Sequence, residues 1–288
     1  MAHSELASPR ATIEILQAHG LYTRKALGQH FLVDDNIIGR ILQMADLSGS
    51  EPVLEIGPGI GTLTVALCEQ VGALVTVEQD SRLLPVLEQT TAACTDLTVV
   101  DADAVSVDLS DLTTPLGSPN ALIANLPYGV AATVVLRLFA EMPSLQFAVV
   151  MVQAEVADRM AASPGGKEYG AYTVKLALHA EVVDRFKVPP TCFLPPPRVD
   201  SAVLRLERHA APASSTGIQA AARMADAAFA QRRKTIRNSL RSTLGAPDDL
   251  VDAVLRDASV DPRRRAETLS VAEYVVLGSS AEKYSLLP

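Results

Sequence analysis

Four short groups of residues in this chain of 288 could carry chemistry. The first is Val53-Leu54-Glu55-Ile56-Gly57-Pro58-Gly59-Ile60-Gly61, an apolar run entering a glycine-rich turn. Glycines there admit torsions that a Cβ forbids and let a ligand reach the backbone. The spacing is G-x-G-x-G rather than the G-x-G-x-x-G of dinucleotide sites, and the Glu55 carboxylate suits the ammonium of a methionyl group better than a pyrophosphate. The second is Glu78, which closes the next apolar run about twenty residues on, where an acidic side chain chelates ribose hydroxyls. Asp103 closes the third run and can accept a hydrogen bond from an adenine amine; Asp101 competes, and spacing does not choose between them.

The fourth group, Asn125-Leu126-Pro127-Tyr128, fits methylation of an exocyclic amine on a base. Such an amine is a poor nucleophile because its lone pair is delocalised into the ring. The Asn125 amide oxygen and a backbone carbonyl of the Leu126-Pro127 segment can accept its two protons and so aim the lone pair at a sulfonium methyl. Pro127 fixes the turn, and Tyr128 offers a stacking face. Catalysis is then mainly alignment and electrostatics, with no base required before attack.

These groups need a scaffold that brings strand ends together. Short runs rich in Val, Ile and Leu occur at 52–56, 74–77, 97–100, 121–124 and 147–152, with helix-period segments at 63–71, 83–90 and 133–139. The alternation predicts a doubly wound parallel sheet, with the run at 121–124 beside the first strand at the switch point where ligands bind. Runs at 182–188 and 202–206 can close the sheet, separated by a proline-rich loop. After Glu207 the pattern is helical, at 218–230, 234–244, 248–256 and 271–277. The expected division is a catalytic α/β domain over 1–206 and a small all-α domain over 207–288.

Composition narrows the class. Cys68, Cys94 and Cys192 are scattered without metal-ligand spacing, which argues against a zinc site and a disulfide framework and points to a reducing cytosol. The first twenty residues contain no apolar leader, and the most apolar stretches are too short to span a bilayer. Net charge is −8, yet residues 185–245 hold eleven Arg and Lys against three acids, leaving −16 for the rest. A basic belt on an acidic body still offers a local site for phosphates. Within it, Arg233, Arg237 and Arg241 are spaced to share one helix face, flanked by Arg232 and Lys234, with no acid between Gln231 and Thr243. That pattern predicts phosphate contact.

Together these runs resemble the ribosomal RNA adenine N6-dimethyltransferase family, and within it the bacterial small-subunit (16S) branch. The resemblance extends from about Lys25 to Tyr274. It is carried by Lys25-Ala26-Leu27-Gly28-Gln29-His30-Phe31-Leu32, the glycine-rich turn, Asn125-Leu126-Pro127-Tyr128, the segment from Phe193 to Ala202, and the segment from Gln231 to Leu240. It implies a Rossmann-like seven-stranded fold dependent on S-adenosylmethionine, with a helical RNA-binding carboxy-terminal domain. The implied reaction is N6,N6-dimethylation of two adjacent adenines in the 3′-terminal hairpin loop of 16S rRNA, within a pre-30S particle in the cytoplasm. Implied cofactor contacts are His30, Leu32, Gly57, Glu78, Asp103 and Asn125, joined by Glu55 and Gly59 from the turn itself. His30 stands where many relatives have Asn. Phe193 is implied to stack on the flipped base opposite Tyr128. Large-subunit enzymes of the macrolide-resistance type usually read N-I-P-Y and are more basic. A non-catalytic assembly factor would have lost Asn125 or the glycines, and both are intact. No oligomerisation stripe is visible, so a monomer is expected.

Overall fold

A computed structural model describes residues 3–22 and 30–287, so Lys25 to Gln29 of the first motif lie outside the described residues. The chain divides into two compact units, one formed by residues up to Ala157 with Val182–Arg208, the other by Asp158–Glu181 with residues from His209 on.

The first unit begins with α1 (Pro9–Ala18), capped by Ser8, then β1 (Phe31–Leu32) and α2 (Asp35–Ala45), capped by Asp34. There follow β2 (Pro52–Ile56), α3 (Thr62–Cys68), β3 (Ala73–Glu78), α4 (Leu84–Thr90), β4 (Leu97–Asp101), β5 (Ala121–Asn125), α5 (Ala131–Glu141) and β6 (Phe147–Gln153). The chain leaves this unit within α6 (Ala154–Met160), and the second unit takes in α7 (Ala171–Ala177). It returns along β7 (Ala180–Val188), then forms β8 (Phe193–Leu194) and β9 (Ser201–Arg208). The second unit is completed by α8 (Ser215–Phe229), α9 (Ile236–Leu244), α10 (Asp248–Asp257) and α11 (Val271–Lys283).

All seven expected runs enter one sheet, ordered β4-β3-β2-β5-β6-β9-β7. The pairs β4–β3, β3–β2, β2–β5 and β5–β6 are parallel, and β9 runs antiparallel to β6. Strands covered on both faces must be apolar along their length, and every residue of β3 is buried. Ile37, Ile38 and Ile41 of α2 and Leu63 and Leu67 of α3 join Val53, Leu74, Ile123 and Val149 in the core. Because β2 lies between β3 and β5, the chain reverses its direction of winding there, and the ends of these strands open a crevice.

Two features depart from the sequence reading. Residues 158–181 pack with the helical unit, so the split along the chain is not a single cut near Glu207. Tyr169 within that excursion donates from its hydroxyl to the Leu269 carbonyl at 2.9 Å and meets Phe229 edge-on, which ties the excursion to the helices. Cys68 and Cys94 form a disulfide, with Cα atoms 5.7 Å apart, which corrects the argument against disulfide bonding drawn from their scatter. They are 26 residues apart in sequence, and the bond joins the last residue of α3 to the segment just after α4.

In the second unit, α8 and α11 cross closely. A Cβ on Gly278 would lie 2.5 Å from the Ala221 backbone nitrogen, so only glycine admits that approach. Ser270 caps α11 reciprocally with Glu273, and Phe229 lies between the rings of Tyr169 and Tyr274.

Candidate active site at the carboxyl edge of the sheet

β2 ends at Ile56, and the next turn has Gly57, Gly59 and Gly61 at φ values of 71°, 62° and 87°. A side chain at these angles is strained, and space is short as well. A Cβ on Gly57 would sit 3.1 Å from the Pro127 ring, and one on Gly59 would sit 3.3 Å from Phe31. The glycine turn and the Asn125–Tyr128 motif are therefore in contact. Thr90 of α4 steadies the turn from behind, donating to the Ile60 carbonyl at 2.9 Å.

Glu78, at the end of β3, accepts the Gly59 amide on Oε2 at 3.1 Å and the Asp80 amide on Oε1 at 2.8 Å. Burial pushes its pKa up, and the amides that point at it oppose that shift. Each oxygen keeps a lone pair for a vicinal diol. Asp101 pairs in register with Glu78, while Asp103 lies in the loop beyond. The Asp103 Oδ1 accepts the Val105 amide at 2.9 Å, and no described residue bonds Oδ2.

Asn125 is the last residue of β5, and its side-chain amide has no partner among the described residues. The Pro127 carbonyl accepts the amides of Val130 and Ala131, both at 3.1 Å, and so starts α5. This leaves the Leu126 carbonyl as the acceptor of that segment that no described residue uses. The Tyr128 hydroxyl meets Ser201 Oγ at 2.6 Å, which fixes the ring at its far end.

Three expected placements change. Glu55 is 1% exposed, and its Oε2 makes no hydrogen bond. Burial raises its pKa to about 8, only partly offset by the hydroxyls of Thr64 and Thr76, which favours the protonated acid beneath the turn. Phe193 is 3% exposed, because β8 pairs it with Leu32 of β1 and turns both side chains into the core. The ring that faces Tyr128 is instead His30, stacked with centroids 5.5 Å apart. His30 Nδ1 lies 2.7 Å from the Pro195 carbonyl, which can only accept, so that nitrogen carries the proton. The basic stretch changes too. α9 starts at Ile236, after a Thr235 cap, so Arg233 precedes the helix instead of sharing its face.

The acids that sequence spacing placed far away neutralise much of this stretch. Arg237 bonds Asp252 at 2.5 Å and Asp248 at 3.1 Å, Arg241 reaches Asp248 at 3.4 Å, and Arg232 reaches Glu267 at 3.1 Å. Arg233 and Lys234 are exposed and have no partner among the described residues.

The family model described as "Ribosomal RNA adenine dimethylase" matches residues 20–277. The chain belongs to that family. As a ribosomal RNA adenine dimethylase it is a methyltransferase whose methyl donor is S-adenosylmethionine. It is 38% identical over 283 residues to "Ribosomal RNA small subunit methyltransferase A" of Bacillus mycoides, covering 96% of this chain and 97% of that one. The Bacillus cereus (strain AH187) protein of the same name is 37% identical over 289 residues, covering 98% and 99%. Among solved structures, a dimethyladenosine transferase from Plasmodium falciparum superposes with a TM-score of 0.76 at 25% identity, covering 89% of this chain and 98% of that one. The 23S rRNA methyltransferase ErmE gives 0.63 at 28% identity, covering 88% and 99%. The dimethylase site fits the cofactor, since three left-handed glycines leave a turn of bare backbone beside Asn125-Leu126-Pro127-Tyr128, and Glu78 borders that turn with spare lone pairs. The Arg237 ion pairs and the stacking of His30 on Tyr128 were not legible in local sequence, because each joins residues through the tertiary fold.

Proposed function

We propose that this dimethylase converts two adjacent adenines of the 3′-terminal hairpin loop of 16S rRNA to N6,N6-dimethyladenosine during assembly of the small ribosomal subunit. The single observation that carries this reading is the contact between the glycine turn and Asn125-Leu126-Pro127-Tyr128, with the Asn125 amide and Leu126 carbonyl unpartnered beside it. The cofactor, when bound, supplies an electrophilic methyl on a sulfonium. Gly57, Gly59 and Glu78 hold it, and Asp103 Oδ2 takes the amine of its adenine. Asn125 Oδ1 and the Leu126 carbonyl accept the two N6 protons of the target base, so its lone pair is directed outward for in-line attack. Transfer would form the C–N bond as the sulfonium S–C bond breaks to leave a neutral thioether, and the surplus N6 proton would then pass to water. Tyr128, fixed by Ser201, supports the base by stacking; a loop adenine reaches it without unpairing a duplex.

The proposed partner is 16S rRNA within a pre-30S particle in the cytoplasm, and the enzyme acts as a monomer. No described helix is long and apolar enough to cross a membrane. Of the five cations between Gln231 and Thr243, Arg233 and Lys234 are the ones free to meet phosphates, whereas Arg232, Arg237 and Arg241 must first exchange an acid. The test is transfer of tritiated methyl to small subunits from a strain lacking the modification, followed by nucleoside analysis. Label in N6,N6-dimethyladenosine at two adjacent loop positions is expected. Label confined to 23S rRNA would move the enzyme to the large-subunit branch, and tight subunit binding without label would make it an assembly factor.

A further inference from the structure

The loop after β4 folds on itself but needs an anchor. Asp103 accepts Val105 on its side chain, and its carbonyl accepts the amides of Ser106 and Val107 at 3.0 and 2.8 Å. All of these bonds stay inside the loop. The loop is joined to β3 at its start, where the Ala102 amide donates to the Glu78 carbonyl at 3.1 Å, and beyond Asp103 the side chain that bonds it from another element is Arg137. Arg137 of α5 donates through Nη1 to the Ala104 carbonyl at 3.1 Å and through Nη2 to the Val107 carbonyl at 2.6 Å. Its Nε donates to Glu141, one turn on, at 3.1 Å, which fixes the plane of the guanidinium. The side chain is only 18% exposed. A planar fork with donors on both arms can hold two carbonyls at once; an ammonium cannot match that geometry. Charged donors also make these bonds stronger than neutral ones would.

α5 grows directly out of the reactive motif, since the Pro127 carbonyl accepts its first amides. One helix therefore carries the Asn125–Tyr128 segment at its start and the loop clamp two turns later. We propose that Arg137 is the positioning residue of the adenine subsite. By fixing the Ala104 and Val107 carbonyls it holds Asp103 Oδ2 where the cofactor's adenine amine arrives, and so sets the preference for an adenine-bearing cofactor. This rests on the proposed role of Asp103.

The experiment is calorimetric binding of S-adenosylhomocysteine and S-inosylhomocysteine to the full chain. The second ligand carries a carbonyl oxygen in place of the adenine amine. A carboxylate waiting for an N–H donor favours the first ligand by about tenfold to a hundredfold. Asp103→Ala should erase this ratio. Arg137→Ala should lower it at least most of the way to the Asp103→Ala value, while Arg137→Lys, which reaches one carbonyl at a time, should fall between. Hydrogen exchange at the amides of Val105 to Val107 should speed up in Arg137→Ala with the sheet amides unchanged. A ratio that survives in Arg137→Ala but collapses in Asp103→Ala would make Arg137 a scaffold residue only. A ratio that survives Asp103→Ala would overturn the adenine assignment itself, and the proposal with it. Should Arg137→Ala fail to fold, Arg137→Lys decides alone, since an unchanged ratio there refutes the two-carbonyl clamp.

Discussion

The carboxyl edge of the sheet and the basic stretch of the helical unit both stand out in the sequence, and they turn out differently. At the sheet edge the residues converge and keep their polar atoms free, as in the Asn125 amide, the Leu126 carbonyl and Asp103 Oδ2. In the helical unit most of the cations of the basic stretch are already paired, Arg237 with two carboxylates and Arg232 with Glu267. A motif written in glycine, proline and fixed spacing encodes backbone geometry, which survives folding. A charge run encodes only the charges within it, and α10 and the segment before α11 supply acids that its sequence window leaves out.

The largest expected effect lies at the sheet edge. Asn125→Ala removes an acceptor aimed at the reacting amine, and by analogy with the loss of one preorganised hydrogen-bonding group kcat should fall about 100- to 1,000-fold. RNA binding should be retained, as measured by filter binding. Normal turnover would erase the contrast between the two regions.

Glu55→Gln comes next and acts on stability. The Glu55 pKa is about 8 in the folded chain and near 4.5 unfolded, so the unfolded chain releases its proton first as pH rises. Stability from this group is complete below about pH 4.5 and declines up to about pH 8. The neutral amide does not share that decline, so Glu55→Gln should gain over the native protein by at most about 3 kcal/mol at pH 7. Denaturant melts across pH 4 to 9 would show the gap opening and then levelling; a gap independent of pH would mean the native carboxyl is ionised.

Gly57→Ala should cost about 1–2 kcal/mol from its left-handed φ alone, plus the displacement of Pro127. Its effect should appear as weaker cofactor binding together with slower transfer, because the same methyl presses on both motifs. A change in stability alone would separate the turn from the reaction.

The smallest effects sharpen the helical side. Replacing Arg233 and Lys234 together by Ala should flatten the salt dependence of RNA binding, by about one log–log unit for each phosphate the variant no longer neutralises. Arg237→Ala should lower the melting temperature while leaving that slope alone, since its guanidinium is held by Asp248 and Asp252. The reverse outcome would return the expected helix face to RNA contact.

Much of the sheet was legible because buried parallel strands are written as apolar runs, and β2 through β6 stand within two residues of where those runs lie. The helices α1, α2, α6 and α7 were not drawn from the sequence. Length does not explain the omission of α6 and α7, since α3 and α4 are equally short and do show their period. The meeting of the glycine turn with the Asn125–Tyr128 motif, and of Glu78 with Gly59, follows the sequence spacing. The burial of Glu55 and Phe193 could not be read there, since a residue type gives no sign of which face of a strand the fold covers. Arg137 has no local signal at all, because its partners lie about thirty residues back in the chain.

The bond between Cys68 and Cys94 closes a covalent ring of backbone. That ring contains all of β3, the carboxylate of Glu78 and all of α4. A peptide bond hydrolysed anywhere inside it leaves one molecule rather than two, still linked through sulfur. The stretch that carries Glu78 is thus the one part of the described chain where a single cut does not release a fragment, until a reductant opens the ring.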